Sequence, residues 1–124
     1  MISNQVLQST IEGLKNIARI DVCVVDVDGK VMASTDIAMD DYAKQALEFS
    51  GSPADSQELS GCQFFKIFDD GQLEYILVVA GSGEDLYTLG KMAAFQIQGL
   101  LVAYKERFDK DNFIKNLLVL KSIL

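Results

Sequence analysis

The chain has 124 residues, a formal charge of −7, two cysteines and no histidine, and 49% of its residues are apolar. That length builds one domain rather than two and buries about two-thirds of the unfolded surface. The acidic balance disfavours a phosphate-binding, nucleic-acid-reading surface and an anionic membrane, and the missing histidine removes His-based triads and His-ligated metals.

The first element is a helix over 4–18. Val6, Leu7, Ile11, Leu14, Ile17 and Ala18 recur three or four apart and form one apolar face. Ser3 or Asn4 suits its N-cap, and Gly13 weakens it slightly. Ile20 to Asp26 is short and rich in β-branched residues, so it reads as a buried strand. Asp28-Gly29 is a strong hairpin signal, and Lys30 to Thr35 returns as the second strand.

A short amphipathic helix starts at Asp40 or Asp41. It carries Tyr42, Ala43, Ala46, Leu47 and Phe49 and ends near Ser50-Gly51. Gly51 to Gly61 holds the sole proline, Pro53, and is the longest irregular stretch: a solvated connector or a binding loop. A further strand could lie within Asp55 to Leu59. Gln63 to Phe68 and Leu73 to Ala80 form a second hairpin about Asp69-Asp70-Gly71. Gly81-Ser82-Gly83 ends that pattern, and Glu84 and Asp85 suit the first turn of the final helix.

In that helix Leu86, Leu89, Ala93, Ile97, Leu100, Leu101, Tyr104 and Phe108 share one face. Charges follow at 105–107 and 109–111, and apolar residues return at Phe113, Ile114, Leu117, Leu118 and Leu120. Unbroken, the segment from Glu84 would run roughly 60 Å, against a domain about 30 Å across. The overhang therefore needs a partner helix, a further domain or a break, for which Asp109 or Asp111 could cap a second helix. The surplus apolar surface on the two terminal helices predicts a homodimer built from them.

The element order predicts an α+β domain. It is an antiparallel sheet with the N- and C-terminal helices on one face and the short helix and loop on the other, a PAS/GAF-like (profilin-like) arrangement. Strand alternation sorts the sheet residues into two sets. Val22, Val24, Val31, Ala33, Phe65, Ile67, Ile76 and Val78 are expected beneath the terminal helices. Cys23, Val25, Met32, Ser34, Phe64, Lys66, Phe68, Tyr75 and Leu77 are expected on the other face. The second set mixes apolar walls with a thiol, a hydroxyl, a phenol and an ammonium, as small-molecule sites do. Cys23, Ser34, Phe64, Lys66 and Tyr75 are therefore the candidate ligand-binding residues. Lys66 would meet a carboxylate, Tyr75 and Ser34 would supply hydroxyls, and the Gly51 to Gly61 loop would close over the opening. The plainer reading sends Lys66 to solvent at the sheet edge and leaves Tyr75 covering the core rim.

Catalytic and cofactor motifs fail on spacing. Asp26-Val27-Asp28-Gly29 lacks the later ligands of a calcium loop, Gly81-Ser82-Gly83 lacks the third glycine of a dinucleotide fingerprint, and Gly90-Lys91 lacks the rest of a P-loop. No enzyme, metal or cofactor is expected. Cys23 and Cys62 sit in apolar runs and read as reduced thiols of a cytoplasmic protein. Neither a signal peptide nor a membrane span is expected.

The stretch Tyr104-Lys105-Glu106-Arg107-Phe108-Asp109-Lys110-Asp111-Asn112-Phe113-Ile114-Lys115-Asn116-Leu117-Leu118 resembles the junction after the N-terminal sensor of bacterial transcriptional regulators of the sugar-diacid (CdaR/PucR-type) family. The hairpin from Val24 to Ser34 is similar to that sensor's first hairpin, and Phe64 to Phe68 with Leu73 to Val79 is similar to its second. The resemblance implies a sensory domain over 1–104 and an output or linker helix over 105–124. It implies a small ligand, a sugar acid by the family's name, and a response passed to a DNA-binding output. Members carry a C-terminal helix-turn-helix, which has no counterpart in these residues, so no direct contact with nucleic acid is expected from them. The ending Val119 to Leu124 departs from the family's usual continuation. The same element order, and the stretch Val25 to Ser34, also resemble roadblock/longin-type dimerisation modules, which implies a scaffold with no metabolite ligand.

Overall fold

The structure is a computed structural model. It describes the backbone of residues 2–123 and the side chains of 2–106 and 114. Helix α1 spans Asn4–Ala18, and β1 (Asp21–Asp26) and β2 (Val31–Ser34) form the first hairpin. A 3-10 turn over Ile37–Tyr42 leads into α2 (Ala43–Ser50). Three strands follow, β3 (Ser56–Leu59), β4 (Cys62–Asp69) and β5 (Gln72–Ala80), and then α3 (Leu86–Ile123). The strands make one antiparallel sheet in the order β2-β1-β5-β4-β3. This is the α+β, PAS/GAF-like arrangement, with α1 and α3 on one face and α2 on the other.

Local chemistry sets the element ends. The Ser3 hydroxyl accepts from the Val6 amide at 3.2 Å and caps α1. Arg19 turns left-handed at φ 56° and returns its amide to Lys15 O at 2.8 Å, closing the helix. The Asp26 carboxylate accepts from the Asp28 and Lys30 amides, both at 2.9 Å, and shapes the β1–β2 turn around Gly29. The irregular stretch after α2 contains β3, so the strand within Asp55 to Leu59 is present. α3 is continuous through 109–111, with no second cap there.

Two cores lie on opposite faces of the sheet. Beneath α1 and α3, Val22, Val24, Ala33, Phe65, Ile67, Tyr75, Leu77 and Val79 pack against Leu7, Ile11, Ala93, Ile97 and Leu101. Beneath α2, Cys23, Val25, Phe64, Ile76 and Val78 pack against Met39, Ala46 and Phe49. Two expectations of strand phase are thereby corrected. In β5 the faces are reversed: Tyr75 and Leu77 lie under the terminal helices, and Ile76 and Val78 lie under α2. In β2, Val31 packs toward α2 and Met32 toward the terminal helices. The cause in both hairpins is a β-bulge. Pairing slips between Ile67 and Phe68, so Ile67 opposes Tyr75 while Phe68 opposes Leu73, and Glu74 is the extra residue. A second slip between Val24 and Val25 leaves Met32 as the extra residue in β2. One inserted residue inverts the side chains on one side of it relative to those on the other: Tyr75 and beyond in β5, Val31 in β2.

Both flanks of the sheet carry a helix glutamine. Gln8 of α1 donates to Ser34 O at 2.7 Å and accepts from the Ser34 amide at 3.1 Å, so it satisfies β2 where a further strand would. Gln98 of α3 donates to Phe68 O on β4, just past the point where β3 stops pairing.

Candidate functional site

Of the five residues expected to form a pocket, Cys23, Ser34, Phe64 and Lys66 lie on the α2 side of the sheet and Tyr75 does not. Cys23 and Phe64 are fully buried beneath α2, where Phe64 meets Phe49 and Tyr42 edge-on at centroid distances of 5.9 and 6.5 Å. Ser34 opposes Cys23 across the β1–β2 pair, and its hydroxyl donates to Asp36 O at 2.6 Å. Tyr75 stands on the far face, among the residues beneath α1 and α3. The expectation that Tyr75 and Lys66 share a face is therefore corrected; the Glu74 bulge separates them.

Lys66 is half-buried and already engaged. Its ammonium donates to Ser52 O in the loop after α2 and lies 5.1 Å from the centre of the Phe49 ring. Its backbone amide donates to Asp55 O at 2.9 Å. The lysine thus fastens the 51–55 loop to β4, and Phe49 fills the space beside it where a ligand head was expected. Burial pushes the Cys23 thiol up to about 12, with a smaller push from Asp40, so it stays protonated. Burial, then Glu74, also raises the Tyr75 phenol. Neither group is poised for proton transfer at neutral pH. Among the described residues no set of three His, Cys, Asp or Glu side chains could hold a metal ion.

A concavity lies on the other side of β4. A groove of about 430 Å³ runs between β4 and α3. Phe65, Lys66, Ile67 and Phe68 line it from β4 and Lys91, Met92, Ala94, Phe95 and Gln98 from α3, with Asp55 from the loop before β3. That volume suits a small molecule, and the lining is mostly apolar with few polar groups. Lys91, Ala94, Phe95 and Gln98 stand at i, i+3, i+4 and i+7, so one flank of a single helix supplies most of the α3 wall. Gln98 reaches across to Phe68 O at one end. Lys91 offers an exposed ammonium and has no ion pair among the described residues.

The sequence held a signal for this wall. Phe95 and Met92 fall off the buried stripe of α3, leaving large apolar residues on a helix face that the sheet does not use.

Beyond the groove α3 passes the tip of the β4–β5 hairpin. Lys105 pairs there with Asp70 and lies 3.8 Å from Asp69. Among the described side chains of α3, Leu101 is the last that is buried and half-buried Tyr104 the last that packs on the core. The helix nevertheless continues to Ile123. The apolar residues expected at Phe113, Leu117, Leu118 and Leu120 lie outside the described side chains. No helix among the described residues is long and apolar enough to cross a membrane. No family model matches the chain, and no curated protein matches it significantly.

Proposed function

We propose that the chain is a non-catalytic sensory module of a bacterial transcriptional regulator of the sugar-diacid type. A small ligand enters the β4–α3 groove, and α3 carries the response towards a DNA-binding output. One observation carries this reading: the helix that supplies a wall of the groove continues to Ile123, nineteen residues beyond Tyr104, the last described residue of α3 packed on the core. A ligand that prefers one position of α3 therefore biases everything joined to that helix, which is the requirement for a ligand-driven switch. Lys91 favours a carboxylate ligand with an apolar body. The two free, buried cysteines support a reducing, cytoplasmic setting. The junction resemblance at 104–118 supports the kind of output.

The test is a thermal-shift screen with small carboxylates, sugar acids included, followed by calorimetry on any hit. A native-state binder raises the melting temperature. Lys91→Met should then weaken binding about ten- to a hundredfold, the worth of one charged hydrogen bond. A hit whose affinity ignores Lys91 would move the site elsewhere.

A second reading is a roadblock/longin-like dimerisation scaffold that takes no metabolite. The filled space beneath α2 favours it, since Phe49, Met39 and Phe64 occupy the volume a ligand would need there. A stable dimer together with no hit from the screen would decide for the scaffold.

A further inference from the structure

We infer that a second copy of this chain lays its own α3 parallel to this one, through Met92, Phe95, Gly99 and Val102, and so walls off the open side of the β4–α3 groove. In the single chain Met92 is 63% exposed, Phe95 80% and Val102 47%. They follow at spacings of three, four and three, so with Gly99 they form one continuous stripe. The buried residues of α3, Ala93, Ile97 and Leu101, face the sheet. The stripe points away from them, where no other described element of the chain covers it.

The occupant follows from shape. A Cβ added at Gly99 meets nothing within 4 Å, so the stripe is open to solvent there and carries no side chain between Phe95 and Val102. Such a gap lets an identical helix come close: in a parallel two-fold pair each Phe95 packs beside its own counterpart, and the two backbones approach at the level of Gly99. Direction follows from the sequence. Phe113, Leu117 and Leu120 stand eighteen residues after Phe95, Gly99 and Val102, which is five whole helical turns. A parallel pair continues one seam through those positions, whereas an antiparallel pair centred on Phe95 and Gly99 carries the two continuations apart.

The groove explains why the pairing matters. Phe95 belongs both to the stripe and to the groove wall, so a helix seated on the stripe stands beside the groove's open side. The ligand site is then complete only in the dimer, and ligand and pairing strengthen each other by the same factor. This coupling rests on the sensory reading; the pairing itself does not.

The test uses the full chain. Sedimentation equilibrium should show a dimer at micromolar concentration, and Phe95→Asp should raise its dissociation constant about thirtyfold or more, the size expected for a central aromatic anchor. Because Phe95 is exposed in the single chain, the melting temperature should not fall when parent and variant are compared at concentrations where both are monomers. Val102→Lys serves as the second variant, with the same expectation. Val102→Cys should form an intermolecular disulfide on mild oxidation, since Cys23 and Cys62 are buried and each new thiol faces its own counterpart. A monomer at 100 µM overturns the inference, and so does a dimer indifferent to both Phe95→Asp and Val102→Lys. Cross-linking confined to a mixture of Met92→Cys with Val102→Cys overturns the parallel arrangement. A cross-linked dimer with no ligand response supports the pairing and counts against sensing; ligand binding to a persistent monomer overturns the pairing and leaves sensing standing.

Discussion

The side-chain amide of Gln98 on α3 donates to the backbone carbonyl of Phe68 on β4, where the partner strand β3 has ended. It ties the groove's two walls together with one hydrogen bond. Gln98→Ala should cost about 1 kcal/mol, the usual net worth of such a bond. Gln98→Glu should cost more at neutral pH, because an ionised carboxylate has no proton to donate and faces an acceptor. Urea unfolding of both variants at pH 7 checks the order. Equal stability of Glu and Ala would mean that the amide's donor role is irrelevant.

A second prediction concerns Gly90. A Cβ there would lie 2.5 Å from the Phe65 ring, far inside contact distance. Phe65 is buried and leans on Tyr87 with ring centroids 5.7 Å apart, so it has little room to retreat. Gly90→Ala should destabilise by about 1–3 kcal/mol despite alanine's better helix propensity. Gly13→Ala is the control. Nothing lies within 4 Å of its Cβ position, and the same change should stabilise by about 0.5–1 kcal/mol. Thermal melts of the pair should move in opposite directions.

Lys66 gives a third. Its ammonium bonds Ser52 O and sits over Phe49, so Lys66→Met should loosen the loop after α2 and lower stability by about 1 kcal/mol. Hydrogen exchange should quicken at the Lys66 amide, which Asp55 O holds. Ligand affinity in the β4–α3 groove should change far less than with Lys91→Met. The reverse order would return the anion partner to Lys66.

The Cys23 thiol supplies a prediction in pH. Its native pKa is raised from 9.0 to about 12 by burial, so the native state holds its proton more tightly than the unfolded chain. That stabilisation is complete below pH 9 and is lost as pH rises towards 12. Cys23→Ala should therefore show a shallower loss of stability than the parent over that window. Identical slopes would place the thiol in contact with water. At pH 8, Cys23 in the folded chain should resist thiol reagents until urea is added.

Most of the architecture could be read from periodicity. The α1 face, the short β1 run and the Asp28-Gly29 turn each carry a local signal strong enough to specify an element. The expected placement of Tyr75 failed for a local reason that has no composition signal. Leu73-Glu74-Tyr75 alternates as any strand does, and nothing in those residues announces that Glu74 is an insertion relative to β4. Alternation counted through the turn therefore places Tyr75 with Lys66, and the bulge places it on the other side. The β4–α3 groove was hidden for a different reason: it is made by two elements far apart in the chain, whose relative height on the sheet is a tertiary fact. Only the off-stripe positions of Met92 and Phe95 hinted that α3 had a second face in use.

The two-way clasp between Gln8 and Ser34 bears on how the chain behaves in concentrated solution. With its amide both giving and taking a hydrogen bond, Gln8 stands in for one residue of a neighbouring strand and leaves β2 a poor template for any other. A version of the chain trimmed past Gln8 would bare that margin, and would be expected to stick to itself edge to edge while its secondary structure still looked intact.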